Sequence, residues 1–258
     1  MAKLLRVIAF LLFVAAPALA LERGPSARVT SVIDGDTVTI ADPIDGAREI
    51  RLVGIQAPKL PLGRKNFPEW PLAPEAKAAL EALVGGKRVI LEFGETRIDR
   101  HGRLLAHLYT DDGIWVQGAM LQTGMARVYT FPDNRARAAE MYALEAEARA
   151  ARRGIWTHPY YAVRTPDALT KDIGTFEVIE GQVLDAARVR ERVFLNFGPN
   201  WRTDFTITIP TKALARFRTT GLDPPALKGR TVRVRGWLKR ENGPMIEATH
   251  PEQIEIVK

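Results

Sequence analysis

Three short stretches hold the residue types that handle phosphate or a hard cation: Val32 to Val38 (VIDGDTV), Ile50 to Lys59 (IRLVGIQAPK) and Asp99 to Ala106 (DRHGRLLA). Carboxylate oxygens suit a hard cation, and the planar forks of guanidiniums suit phosphate oxygens. Singly, each stretch has an ordinary structural explanation. Asp-Gly-Asp is a hairpin-turn signal, and an arginine within a strand commonly buries its stem and leaves its head in water.

Strands and turns must bring these stretches together. From Ala27 to Ile40 and again from Glu49 to Ile55, β-branched and aliphatic residues alternate between Gly, Asp and Pro, which predicts a strand meander. Pro74 to Val84 has helical spacing and a Gly85-Gly86 stop, and Lys87 to Phe93 returns to strand. A hairpin of Leu104 to Tyr109 with Gly113 to Val116 follows, then a helix over Val116 to Gly124. Arg135 to Arg153 predicts a strong helix, whose Glu140, Glu145 and Glu147 read as a solvated face with pairs three or four apart. His158 to Gly174 has two prolines and no sustained period, so it reads as a linker.

In this order and spacing the three stretches resemble the staphylococcal nuclease (thermonuclease-like) family. The resemblance runs from about Arg28 to Trp156 and includes Pro74-Glu75-Ala76 opening a helix and Gly154-Ile155-Trp156 after the last one. It implies an OB-type five-stranded barrel with helices and, in active members, calcium-dependent cleavage of DNA and RNA phosphodiesters by an endonuclease. By the motif match, Arg51 and Arg103 are the two guanidiniums that stabilise the phosphorane-like transition state, and Asp36 is a calcium ligand. Arg100, Arg127 and Tyr129, with Arg97, are expected to contact phosphates and sugars beside the scissile bond; edge-strand solvation explains the arginines equally well.

The second stretch departs from the family pattern. Gln56 stands where the family has its second calcium-binding Asp, Ala57 where it commonly has Thr, and Lys59 where it has the general-base Glu. Two carboxylates have gone and one ammonium has arrived, so the local formal charge is three units more positive. Unit charges about 5 Å apart at an effective dielectric near 20 interact by roughly 3 kcal/mol, so three such changes predict a calcium site weakened by several decades. Asp36 and Gln56 remain as the ligand positions of that degraded site. Lys59 offers itself as a positive group replacing the metal, with Glu69, Glu75 or His101 as alternative bases; the structural explanations are a solvated loop for Glu69 and a helix N-terminal acid for Glu75.

The chain has 258 residues, enough for two domains each with its own core. Its first twenty residues carry Lys3 and Arg6, an apolar run from Val7 to Ala16, and Ala18-Leu19-Ala20, the form of a secretory signal with its cleavage site. Export to the periplasm or the extracellular space is the expectation. Without Lys3 and Arg6 the formal charge falls from +7 to +5, still basic, which suits nucleic acid or an anionic envelope polymer. No cysteine is present, so neither disulfides nor thiolate metal sites enter.

The nuclease-like domain is assigned to 21–157, the linker to 158–174 and a second β-domain to 175–258. Strands are expected near Phe176 to Leu184, Arg192 to Phe197, Asp204 to Ile209, Arg230 to Leu238 and Gln253 to Val257, with a short helix from Lys212 to Phe217, the order of a small OB-like barrel. Its aromatics from Phe194 to Phe205 and its cluster of Arg230, Arg233, Arg235, Lys239 and Arg240 read either as a barrel core with a charged surface or as a polymer-binding groove. Three functions follow: a nuclease, a non-catalytic binder of nucleic acid or envelope polymer, and a purely structural envelope protein.

Overall fold

A computed structural model describes residues 21–257; the expected leader, Met1 to Ala20, lies outside the described residues. β1 (Glu22–Asp34), β2 (Thr37–Ile44) and β3 (Ala47–Leu52) form an antiparallel meander, and the chain then turns into the short β4 (Gly54–Gln56) and helix α1 (Ala73–Val84). β5 (Arg88–Phe93) and β6 (Leu104–Thr110) close a barrel in the order β1-β2-β3-β6-β5, with β6 parallel to β3. Alternate residues such as Val38, Ile40, Ile50, Leu52, Leu91 and Leu108 point inward and are buried together, as a two-residue side-chain period requires. The barrel is the OB-type one expected of the nuclease-like fold.

Two glycines fix the turn that carries the acidic residues and the end of α1. A Cβ at Gly35 would stand 2.6 Å from the Ala57 methyl and 2.8 Å from that of Ala76, so only glycine lets the Asp34-Gly35-Asp36 turn press against both. Gly86 has φ +67 and stops the helix in the left-handed region.

Helix α2 (Val116–Gln122), β7 (Arg127–Tyr129) and helix α3 (Ala138–Ala150) follow. β7 pairs antiparallel with β4, setting Gln56 opposite Arg127 and Ile55 opposite Val128. The hairpin expected after β6 is reduced to one bridge, Tyr109 with Trp115, because β6 spends its edges on β3 and β5. Helix α3 begins three residues later than the sequence suggests, since Arg137 takes a left-handed conformation with φ 59.

The C-terminal strands are β8 (Phe176–Gln182), β9 (Asp185–Val189), β10 (Arg192–Asn196), β11 (Thr206–Pro210), β12 (Thr231–Trp237), β13 (Lys239–Glu241), β14 (Gly243–Glu247) and β15 (Ile254–Ile256), with helix α4 (Leu214–Thr219) between β11 and β12. They are hydrogen-bonded as two sheets, β13-β14-β11-β10-β9 and β15-β12-β8. Ile179, Leu195, Ile207, Val234 and Ile246 join both sheets in one core. Residues 158–174 are packed rather than loose: Tyr161 is buried against Trp70 and Ile155, Leu169 enters the C-terminal core, and Arg164 bridges to Ile179.

The two cores are joined through one buried carboxylate, and here two sequence expectations are corrected. Glu145 does not lie on a solvated face, and Arg235 does not belong to a surface basic cluster; both are buried. Arg235 grips Glu145 with both terminal nitrogens at 2.9 Å and reaches Glu255 at 2.8 Å. Glu145 also accepts the Val128 N–H at 2.6 Å and pairs with Arg149 at 3.0 Å. Burial alone would raise the Glu145 carboxyl, but the Arg235 charge and these hydrogen bonds hold it below its usual range. Removing one partner strands a buried charge, so Arg235→Ala is expected to lower the unfolding free energy by about 3–5 kcal/mol, read from urea denaturation; a loss under about 1 kcal/mol, the size of a surface pair, would refute this account.

Candidate nucleic-acid interface and its buried charge cluster

Asp36 is fully buried at the turn between β1 and β2. Its carboxylate accepts the Ala57 N–H at 2.8 Å and the Thr37 hydroxyl at 3.2 Å, and Arg51 Nη2 lies 3.2 Å away. Lys59 completes the set. Its Nζ stands 2.6 and 2.7 Å from the two Asp36 oxygens and 3.1 Å from Asp34 Oδ2. Two carboxylates thus meet two cations, and the cluster carries no net formal charge.

The shifts of the two acids follow from this packing. Burial pushes the Asp36 carboxyl up, but Arg51 and Lys59 together outweigh it and hold the group well below the usual carboxylate range. Asp34 moves the other way, because burial and the neighbouring Asp36 charge exceed the pull of Lys59 and Arg51. Arg51 has little freedom left: its other hydrogen bonds go to the carbonyls of Leu52 at 2.6 Å, Ile55 at 2.7 Å and Asp36 at 3.4 Å.

Gln56 and Arg127, set opposite each other by the β4–β7 pairing, engage side chain to side chain. Gln56 Oε1 accepts from Arg127 Nε at 3.0 Å and Nη2 at 2.8 Å. Arg127 is only 2% exposed and lies over the rings of Phe176 at 4.5 Å, Tyr161 at 5.5 Å and Trp70 at 5.8 Å. Burial draws its ordinary value down to about 10, which leaves it a cation at neutral pH. An aromatic box is a fitting enclosure for such a cation.

The structure therefore brings Arg51, Lys59 and Asp36 into one cluster and keeps Gln56 beside it, while the expected substrate contacts separate. Arg127 is enclosed instead of facing solvent, and the Tyr129 hydroxyl accepts from Trp237 Nε1 at 3.0 Å in the seam between the two halves. Arg103 and Arg100 lie on the loop between β5 and β6. Arg103 is partly exposed and forks onto Asp99 Oδ2 at 2.6 and 2.8 Å; Arg100 is exposed and donates to His101 Nε2 at 3.1 Å. Glu69, Glu75 and His101 are all exposed. Sequence reasoning passed over Asp34, although the Asp-Gly-Asp spacing was the available signal: a tight turn returns both carboxylates to the same side.

Comparison with known proteins agrees with this architecture. The family model described as staphylococcal nuclease homologue matches residues 49–158. An uncharacterized endonuclease of Escherichia coli is 33% identical over 137 residues, covering 50% of this chain and 76% of the relative. Protein ParB of Escherichia coli is 36% identical over 157 residues, covering 58% of this chain and 80% of the relative. Thermonuclease of Staphylococcus intermedius is 33% identical over 113 residues, covering 43% and 64%. A barrel of this order, Arg51 on β3 and Arg103 on the loop just before β6, and these relatives lead to one conclusion: the chain belongs to the staphylococcal nuclease family.

Proposed function

We propose that this protein binds nucleic acid on a nuclease fold and works without calcium, with the Lys59 ammonium as a built-in cation. The observation that carries the reading is the contact of Lys59 Nζ with both oxygens of Asp36 and one of Asp34. Calcium takes six to eight oxygen ligands at about 2.3–2.6 Å. Here the oxygens that would serve already surround an ammonium, and the Gln56 carbonyl is turned to Arg127. The residues present do not fit calcium.

Hydrolysis by the family's route also lacks its base, since Lys59 occupies that position and its proton is held between two carboxylates. What the barrel retains for phosphate is the arginine loop between β5 and β6. Arg103 can exchange the Asp99 carboxylate for a phosphate, keeping the same fork geometry, with Arg100 exposed beside it. Among the described residues no helix is long and apolar enough to cross a membrane, and the basic-then-apolar leader supports an exported protein.

Two experiments test this. The chain from Leu21 is incubated with labelled single-stranded oligonucleotide in calcium or in chelator. The expected result is intact oligonucleotide in both, held in a salt-sensitive complex, with Arg103→Ala reducing the slope of log affinity against log salt by about 0.7 per lost phosphate contact. Calcium-stimulated cleavage would overturn the proposal.

The second experiment removes the tethered cation. Lys59→Ala is expected to cost about 3 kcal/mol at pH 7, the low end for a broken buried pair because Lys59 keeps some solvent contact. The depressed Asp36 carboxyl gives the wild type stability that is present above its unfolded pKa of about 3.9 and is lost as pH falls. The variant keeps less of it, and protonating Asp34 relieves its repulsion. The gap between the two proteins should therefore narrow as the pH falls below about 4, and millimolar calcium should raise the melting temperature of the variant alone. A gap that stays constant with pH, or calcium stabilisation of the wild type, would contradict the tethered-cation account.

A further inference from the structure

A cleft of about 400 Å³ opens in the C-terminal half, between residues 166–170 and the loop from Phe197 to Phe205, with Leu184 and Pro244 completing its walls. That volume falls within the range of small-ligand sites, about 300–1,000 Å³. The loop is built around Asn200, whose carbonyl accepts the N–H groups of Thr203 at 2.9 Å and Asp204 at 3.0 Å. Asp204 Oδ2 accepts the Asn200 N–H at 2.7 Å in return, and a Cβ at Gly198 would collide with this carboxylate. Asp204 is therefore seated in the wall. Phe197 and Phe205 are spent on the core, whereas Leu184 remains 48% exposed.

The lining accepts hydrogen bonds far better than it donates them. Asp167 and Asp204 are its charged residues, and carboxylates only accept. Pro166, Pro199 and Pro244 have no N–H to offer, and the N–H groups of Leu184, Phe197, Thr203 and Asp204 are already given to backbone carbonyls. The Thr203 hydroxyl donates to Asp204 Oδ1 at 3.1 Å. Asp167 is exposed and makes no hydrogen bond or ion pair among the described residues. A phosphate or other anion, which needs donors, is excluded. An organic cation gains little either, because exposed Lys171 and Arg202 adjoin the lining residues Thr170 and Thr203 and offset the two carboxylates. What fits is a neutral ligand that brings several O–H donors together with an apolar face.

We infer that this cleft is a carbohydrate site for a neutral pyranose ring, with Asp167 and Asp204 accepting from adjacent hydroxyls and Leu184 and the prolines covering the C–H face. Hydroxyl-to-carboxylate bonds are charge-assisted and need no counter-ion. The site is separate from the arginine loop of the barrel, so it gives the C-terminal half a ligand of its own whether or not the first half holds nucleic acid.

The test is saturation-transfer-difference NMR on the chain from Leu21, which contains every described element. The probes are methyl glycosides and tetrasaccharides of the gluco, galacto, manno and N-acetylglucosamine series, with spermidine as the cationic comparison. Saturation should pass to the ring C–H protons of a neutral sugar, and Asp167→Ala should weaken that sugar about tenfold, the loss of one charge-assisted bond. Asp167→Asn keeps a carbonyl acceptor and should recover part of the affinity. Leu184→Ala should weaken the sugar severalfold through the lost wall. Both side chains are exposed, so unchanged melting temperatures are expected and separate lost binding from misfolding. A tetrasaccharide held more tightly than its methyl glycoside would assign the site to a glycan chain, and equal affinity to a single ring. Absence of transfer to every neutral sugar, sugar affinity unchanged in both alanine variants, or binding of spermidine alone would each overturn the inference.

Discussion

Glu145 holds the molecule together. From helix α3 its carboxylate reaches the backbone of β7 through the Val128 N–H, its own helix through Arg149, and the C-terminal sheet through the fork of Arg235. An ionised carboxylate in such surroundings is tolerable only when its lone pairs are nearly all used, and here two arginines and a backbone donor use them. Around this point the seam is finished by weaker contacts: Thr130 with His250 at 2.8 Å, Arg135 with Glu252 at 3.2 Å, and the Tyr142 hydroxyl with the Glu252 carbonyl. These directional bonds specify one docking of the two cores, where apolar contact alone would permit sliding.

The same anchor reaches the charge cluster through the backbone. Val128, pinned by Glu145, pairs with Ile55 in β4, and the next pair is Arg127 with Gln56. One residue further along, the Ala57 N–H is bonded to Asp36. Phe176, from the C-terminal half, closes the box over Arg127. The second half of the chain therefore braces the strand on which Gln56, Ala57 and Lys59 follow one another. Hydrogen bonds and a ring contact hold this segment inward from behind.

Much of the first half was legible from the sequence because its signals are local. Alternating strands, the Pro74 helix start and the Gly85-Gly86 stop all depend on a few neighbouring residues, and the three stretches match a known pattern by spacing alone. What was hidden depends on pairing over long separations. Arg127 and Arg235 look like surface arginines until Gln56 and Glu145 are seen opposite them, 71 and 90 residues away in sequence. In the C-terminal half β9, β13 and β14 escaped for a different reason. The first two are sheet edges with most side chains in solvent, and the third opens with Gly243-Pro244, a turn signal rather than a strand signal.

The changes at positions 56 and 59 make physical sense only together. Placing a lysine beside two carboxylates that still held calcium would set two cations against each other at close range, and removing calcium without the lysine would leave Asp34 and Asp36 facing each other in a buried turn. With both changes the cluster is electrically balanced without any diffusible ion. A tethered ammonium also cannot be removed by chelation or dilution, because its effective concentration is fixed by the four-carbon stem. The three carboxylate oxygens that hold the ammonium are ones a metal ion would otherwise compete for. The turn that carries Asp34 and Asp36 is thus held by side chains of the chain itself.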